Sequence, residues 1–392
     1  MTSIRIHCIR DGASLASLSN DFDRLSNGSV MRQLCWLLPW WKAHQATHSL
    51  HVLVAYRGEE VCGILPLAET YQALTGRSLV FVGSGKVCSD DLGILLDESN
   101  TKACDHEEII EAFANWLVQS PNCCRWDHLD LDGVRESNPS MEVFRECLES
   151  LTGLQVNRKP SPNCWAVSLD PDFGSYLSKL TKRARKIVRE AEAAIDSGIG
   201  IFEIAESYEQ ALEFANEIEQ MHQNRWKQQG VEGCFSSPPF RSFLYSTIQS
   251  VWQTPWRAEE SLVHSTSPHN NQRLFVSRLR IDGMTVAGSI GFHDRNAIAV
   301  YLTGMNVDFA EQRPGWMLNT CIIKHAIQVG CAKLDFLRGD EEYKERLGGT
   351  PSLQRRWIVP ANRLSSQVRN KAYQAAVSVK NWLKSTPCVE VN

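Results

Sequence analysis

"VAYRGEEVCG", residues 54–63, and "LRIDGMTVAG", residues 279–288, align without a gap and share Gly58/Gly283, Val61/Val286 and Gly63/Gly288. Each reads as an extended segment, a glycine-containing turn and a second extended segment, the pattern of a β-hairpin. An amphipathic helix and a short apolar strand follow each hairpin. In the first half, "EEIIEAFANWLVQ" sets Ile109, Ile110, Phe113 and Leu117 on one helical face ahead of "WDHLDLDG". In the second, Leu318, Ile322, Ile323, Ala326 and Ile327 do the same ahead of "AKLDFLRG". The repeat predicts two copies of one α/β unit in tandem.

Length and composition agree with two units. A chain of 392 residues is long for one core, and 43% hydrophobic with 22% charged residues is an ordinary globular balance. The net charge of -4 gives no general attraction to nucleic acid or membrane, although a local basic patch can exist within it. The opening "MTSIRIHCIRDG" alternates like a strand and lacks the apolar stretch of a signal peptide. The richest apolar run, Cys35 to Trp41, is short and contains Pro39, so no bilayer span is expected. Thirteen scattered cysteines with no CxxC read as reduced, buried thiols of a cytoplasmic protein, not as a disulfide framework or zinc site. His44, His48 and His51 do not share a helical face, because His51 opens the strand-like "HVLVAY", and no metal site is expected.

Between the halves, "NRKPSPNCWAVSLDPDFGS", residues 157–175, is rich in turn formers and reads as a linker, dividing the chain into units 1–160 and 161–392. "PWRAEESLVHSTSPHNNQ", residues 255–272, reads as a surface loop near a site mouth. The second half opens with a basic helix capped by Ser175, striped by Leu177, Leu180, Ala184, Ile187, Ala191 and Ile195, and ended by Gly198. Its Lys179, Lys182, Arg183, Arg185, Lys186 and Arg189 form either a solvated face or a wall for an anion. A second helix over 209–229 places His222 in the stripe of Ala211, Leu212, Ala215, Ile218 and Trp226, as a core histidine or as a base facing a cleft. A closing helix carries Leu364, Val368, Ala372, Ala375, Val379 and Leu383 on a packing face.

The chemistry concentrates in "AEQRPGWMLN", residues 310–319. Pro314 suits a first helical turn, Gly315 lets another group approach the backbone, and the unpaired N–H groups of that turn favour phosphate. An ordinary helix start would read the same way. The matching approach in the first half, "DESNTKACDHEE", has no glycine and crowds Asp97, Glu98, Asp105, Glu107 and Glu108 together. Those carboxylates would repel a pyrophosphate, so only the second half is expected to hold one.

Taken in order, the basic helix, "MHQNRW", the hairpin, "AIAVYLTG", "QRPGWM", a helix, "KLDFLRG" and "DEEYKERLG" resemble the GNAT acyltransferase superfamily. The resemblance is narrower to the CelD-type proteins associated with cellulose biosynthesis, which are similar to the Fem aminoacyl ligases. "WLLPWWKA", "GILPL" and "SDDLG" look like that family's first half. The resemblance implies an α/β fold of tandem GNAT-like (Fem-like) domains, each a mixed twisted sheet flanked by helices, of which the crowded carboxylates leave the first without an expected cofactor. It implies an enzyme: an N- or O-acyltransferase that uses acetyl-CoA or another acyl-CoA and acts on a sugar, lipid or cell-envelope/exopolysaccharide precursor.

The family's pyrophosphate loop, R/Q-x-x-G-x-G/A, falls on Gln312 and Gly315, with Met317 at the last small position; Arg313 and Trp316 complete the cofactor-binding candidates. By the same resemblance Tyr343 is the general acid for the departing thiolate and Lys344 stabilises developing negative charge. Read without it, Asp340, Glu341 and Lys344 form a charge-paired surface helix. His222 and Asp335 are the candidates for the base, Asp335 alternatively fixing a strand end. Arg183, Arg225, Trp226 and Arg338 are the substrate-binding candidates. The expected partners are an acyl-CoA and a small-molecule or saccharide acceptor, without DNA. One rival is a Fem-like tRNA-dependent aminoacyl transferase, against which stand the acidic net charge and the lack of a long heptad hairpin. The other is a degenerate GNAT pair acting as a binding module.

Overall fold

The computed structural model describes residues 3–97, 103–120, 125–254, 273–294 and 296–369. The loop read at 255–272 and most of the closing helix lie outside them; Leu364 and Val368 of that helix's packing face are exposed, at 83% and 63%. The first half contains β1 (Ile4–Ile9), α1 (Gly12–Ala16), α2 (Ser19–Leu25), α3 (Leu34–His44), β2 (His48–Leu50), β3 (Val52–Arg57) and β4 (Glu60–Leu65). It continues through β5 (Leu67–Gln72), β6 (Gly76–Phe81), β7 (Leu95–Leu96), α4 (Ala103–Gln119), β8 (His128–Arg135) and α5 (Pro139–Thr152). The second half begins with β9 (Asn157–Ser168), α6 (Phe173–Lys179), α7 (Lys182–Asp196), β10 (Gly200–Ile204), α8 (Tyr208–Gln228) and α9 (Pro238–Trp252). It ends with β11 (Leu274–Ile281), β12 (Met284–Asp294), β13 (Ala297–Met305), α10 (Pro314–Gln328), β14 (Lys333–Arg338), α11 (Glu342–Arg346) and β15 (Thr350–Pro360).

Both halves of the repeat form antiparallel hairpins, β3–β4 and β11–β12. Asp282 and Gly283 turn the second with φ 49 and 77, the left-handed pair that a two-residue hairpin loop demands. Both repeat helices form as well, and α4 buries Ile109, Ile110, Phe113 and Leu117 as their spacing predicts. Each half also contains one parallel strand pair, β6 with β8 and β13 with β14. The strands lie in two sheets, β1-β3-β4-β7 and β10-β11-β12-β13-β14-β9-β15-β8-β6-β5-β2, giving a mixed α/β fold.

The stretch read as a linker is instead β9, a strand inside the larger sheet, and the boundary at 160/161 falls within it. Its composition hides the strand because Pro160 and Pro162 lie where β9 pairs with β15 alone; pairing to β14 begins only at Cys164. Proline is tolerated where one side of a strand has no ladder to supply. The returning strand β15 then pairs with both β9 and β8, and its Trp357 and Val359 enter the first-half core. A further core joins the halves: Trp36 of α3 makes edge-to-face contacts with Phe243, Phe292 and Tyr301 at centroid distances of 4.9, 5.3 and 4.9 Å.

The basic helix is also two helices, not one. Leu180 is extended at ψ 151, Asp172 caps α6, and the Thr181 hydroxyl caps α7 by accepting from Ala184 N–H. Arg185 holds the break by donating to the carbonyls of Leu177, Ser178 and Leu180. Ser175, read as the cap, is itself bonded by Asp172.

Candidate active site

β13 and β14 pair only at Ala297–Ala299 with Lys333–Asp335. Beyond that point β14 shifts register against β9, while β13 stays on β12 as far as Met305. The divergence leaves one backbone edge of β13 unpaired and opens a cleft of about 580 Å³. Tyr301 to Met305 line its floor, His222, Arg225 and Trp226 of α8 one side, and Glu341 and Tyr343 another. The first turn of α10 closes one end with Arg313, Gly315 and Trp316.

That turn is an uncapped helix start. Arg313 is left-handed at φ 53, Pro314 occupies the first helical position, and no side chain caps the helix. A Cβ on Gly315 would meet only Met305 Sδ at 3.4 Å, so packing does not demand the glycine and the space above it is open. Gln312 is exposed just before the turn and outside the cleft lining. Arg313 and Trp316 also line an adjoining recess of about 430 Å³ with Arg183, Lys186, Glu190 and Arg346. Four cations against one carboxylate make that recess electropositive. Half of the α7 question is thereby answered: Arg183 and Lys186 face the recess.

The structure gathers seven of the twelve candidates around the cleft: His222, Arg225, Trp226, Arg313, Gly315, Trp316 and Tyr343. Tyr343 packs edge-on against Phe336 at 5.7 Å, and burial, followed by the Glu341 carboxylate, pushes its phenol well above the ordinary value. Such a phenol stays protonated and can donate.

Lys344, Asp335 and Arg338 are placed elsewhere. The Lys344 ammonium is buried and donates to the carbonyls of Leu337, Arg338 and Gly339 at 3.3, 3.1 and 3.1 Å, with Glu341 at 2.9 Å. It therefore holds a turn and does not face the cleft. Asp335 accepts from Leu337 N–H at 2.9 Å and pairs with Lys333 at 3.0 Å, which fixes the strand end, and it lines a separate recess of about 290 Å³. Arg338 is bound by Asp90 and Asp132 at 2.9 and 2.8 Å.

His222 reaches the cleft but not as a free base. Trp226 Nε1–H donates to its Nε2 at 2.9 Å, which assigns the ring proton to Nδ1, and burial lowers its pKa. The lone pair a base would use is already engaged. The stripe reading could not foresee this, because Trp226 stands one helical turn away and doubles as the partner.

Sequence reasoning missed Asn319. Its amide donates to the Gly315 carbonyl at 2.8 Å, while its Oδ1, buried and lining the cleft, has no partner among the described residues. A polar residue in the apolar stripe of α10 was the available signal. An unpaired buried acceptor beside an uncapped helix start suits a ligand that brings both phosphate and an amide N–H.

In the first half the equivalent strand divergence is filled. Past the β6–β8 pairing, Leu92 N–H bonds the Gly133 carbonyl, and a Cβ on Gly133 would meet Arg338 and Ser89 at 2.6 and 3.0 Å. At the start of α4, Arg57 pairs with Asp105 and Glu108 at 3.1 and 2.7 Å, and Arg24 reaches Asp97 at 3.6 Å.

Residues 181–345 match the acetyltransferase (GNAT) domain family. Among solved structures, FemX is similar at 11% identity and a TM-score of 0.60, covering 93% of this chain and 99% of its own. The C-terminal DUF2156 domain of an Agrobacterium fabrum protein assigned as a lysylphosphatidylglycerol synthetase is similar at 11% identity and a TM-score of 0.51, with 94% and 97% covered. No curated protein matches in sequence. The family match thus lies within the second half, and the likeness to the solved structures concerns the fold. Among the described residues no helix is long and apolar enough to cross a membrane.

Proposed function

We propose that the protein is an acyl-CoA-dependent acyltransferase whose donor cleft lies between β13 and β14. The observation that carries this reading is the pairing of an uncapped, glycine-opened helix start at one end of the cleft with a buried tyrosine at another. The first turn of α10 and Arg313 would take the pyrophosphate, and Asn319 Oδ1 and the free edge of β13 would receive the amides of the pantetheine arm in strand fashion. The electropositive recess beside Arg313 supports a donor with a phosphate-rich tail.

The acceptor's amine or hydroxyl attacks the thioester carbonyl directly. As the tetrahedral centre collapses, the C–S bond breaks and the thiolate takes the proton of the Tyr343 phenol, which is replenished from water. Glu341, the carboxylate among the lining residues, is assigned to receive the acceptor's proton. Lys344 is reassigned from charge stabiliser to support of the turn that carries Tyr343. The acceptor class, a saccharide, lipid or envelope precursor, rests on the resemblance of the sequence to CelD-type proteins.

Thermal-shift measurements with acetyl-CoA, longer acyl-CoAs and aminoacyl-tRNA test the donor, since a ligand of the native state raises its melting temperature. Acetyl-CoA or a longer acyl-CoA should stabilise the protein. Stabilisation by aminoacyl-tRNA alone would replace this reading with a Fem-like one.

A further inference from the structure

The chain leaves β14 through an unusual turn. Leu337 has φ 54 and Gly339 φ 129, and a leucine adopts the left-handed region only where its surroundings impose it. What imposes it comes largely from the other half of the molecule. Asp90, 5% exposed, accepts from the backbone N–H of Arg338 through Oδ2 and from its Nε through Oδ1, both at 2.9 Å. Asp132 takes Nη1 at 2.8 Å, and the Ser89 carbonyl takes Nη2 at 3.1 Å. Lys344 in turn gathers the three carbonyls of residues 337–339. Tyr343 immediately precedes that lysine, so the ring and the clamp ride on the same short segment.

We propose that Asp90 is a positioning residue: through Arg338 it fixes the turn that sets the Tyr343 phenol in the cleft, so the first half governs the proton donor of the second. The proposal rests on the assignment of Tyr343 as general acid. A carboxylate that served only to neutralise a buried guanidinium would not also need the backbone N–H of the same residue. This one holds both the side chain and the main chain next to Leu337, which ties it to the path of the backbone.

The test follows slow transfer of acetyl from acetyl-CoA to water, read as CoA release by chromatography, in the whole protein. Tyr343→Phe and Asp90→Asn should each lower kcat about ten- to a hundredfold with KM for acetyl-CoA within about twofold, and the double variant should be no slower than Tyr343→Phe. Hydrogen exchange should rise at least about tenfold in peptides spanning 337–344 of Asp90→Asn and stay at the parent level elsewhere. Arg338→Lys, which keeps a charge for Asp90 but loses the two-pronged contact, should repeat the pattern and serves if Asp90→Asn does not fold. Parent-like kcat or local exchange in folded Asp90→Asn beside a slow Tyr343→Phe, or losses that multiply in the double variant, would overturn the positioning role. Tyr343→Phe at the parent rate would overturn the acid assignment and this proposal with it, leaving acyl-CoA binding to be judged separately by the thermal shift.

Discussion

Both halves contain an antiparallel hairpin and one parallel strand pair, and the space beside that pair is used differently. In the second half, β13 and β14 diverge around a cleft of about 580 Å³, and α10 begins beside it with a left-handed arginine and an open glycine. In the first half, β6 and β8 diverge around protein: the Ser89–Gly93 segment and Arg338 occupy the space, and Asp105 and Glu108 of α4 are engaged by Arg57. The space beside the parallel pair is open in the second half and filled in the first. The first half also reaches the cleft directly, since Tyr301 on the cleft floor donates to the Val87 carbonyl at 2.7 Å.

If the halves are one structure, damage to the junction must reach both. Trp36→Ala removes the ring that meets Phe243, Phe292 and Tyr301, and should destabilise the protein by about 3–5 kcal/mol in chemical denaturation. A single transition should persist, because β15 and β9 knit the halves into one sheet. Two separated transitions would show that the halves fold as independent modules.

Acid should act through the second half. Burial, and then its neighbour His325, hold the His293 imidazole down to about 4 from an ordinary value of 6.5. Above that ordinary value neither state binds the proton, and there is no penalty. Below it the unfolded chain takes up a proton that the folded one resists, so stability falls as pH drops from 6.5 toward 4, by about 3 kcal/mol at most. Stability of His293→Phe measured across that range should decline less steeply than the parent; equal slopes would show that another group is responsible.

The hairpins and amphipathic helices were legible because their signals are local: Gly58 and Gly283 mark turns, and periodic apolar residues mark buried faces. β9 was not, because its partners β14 and β15 lie far along the chain and its prolines sit where only one ladder forms. The cleft end at Arg313 to Trp316 could be read from a helix start. The direction of a long side chain could not: Lys344 turns inward to three carbonyls, and His222 gives its acceptor nitrogen to Trp226. The "SDDLG" stretch was recognised only as a family likeness, since its contact with Arg338 spans 248 residues.

The most direct test of the difference between the halves is calorimetric titration of acetyl-CoA into the whole protein and into Gly315→Val. One site per chain is predicted for the parent. In the folded variant, affinity should fall by about 1–3 kcal/mol as the side chain covers the Gly315 N–H at the start of α10. Two equivalent sites per chain, or undiminished affinity in folded Gly315→Val, would contradict the assignment of the cofactor to the second half.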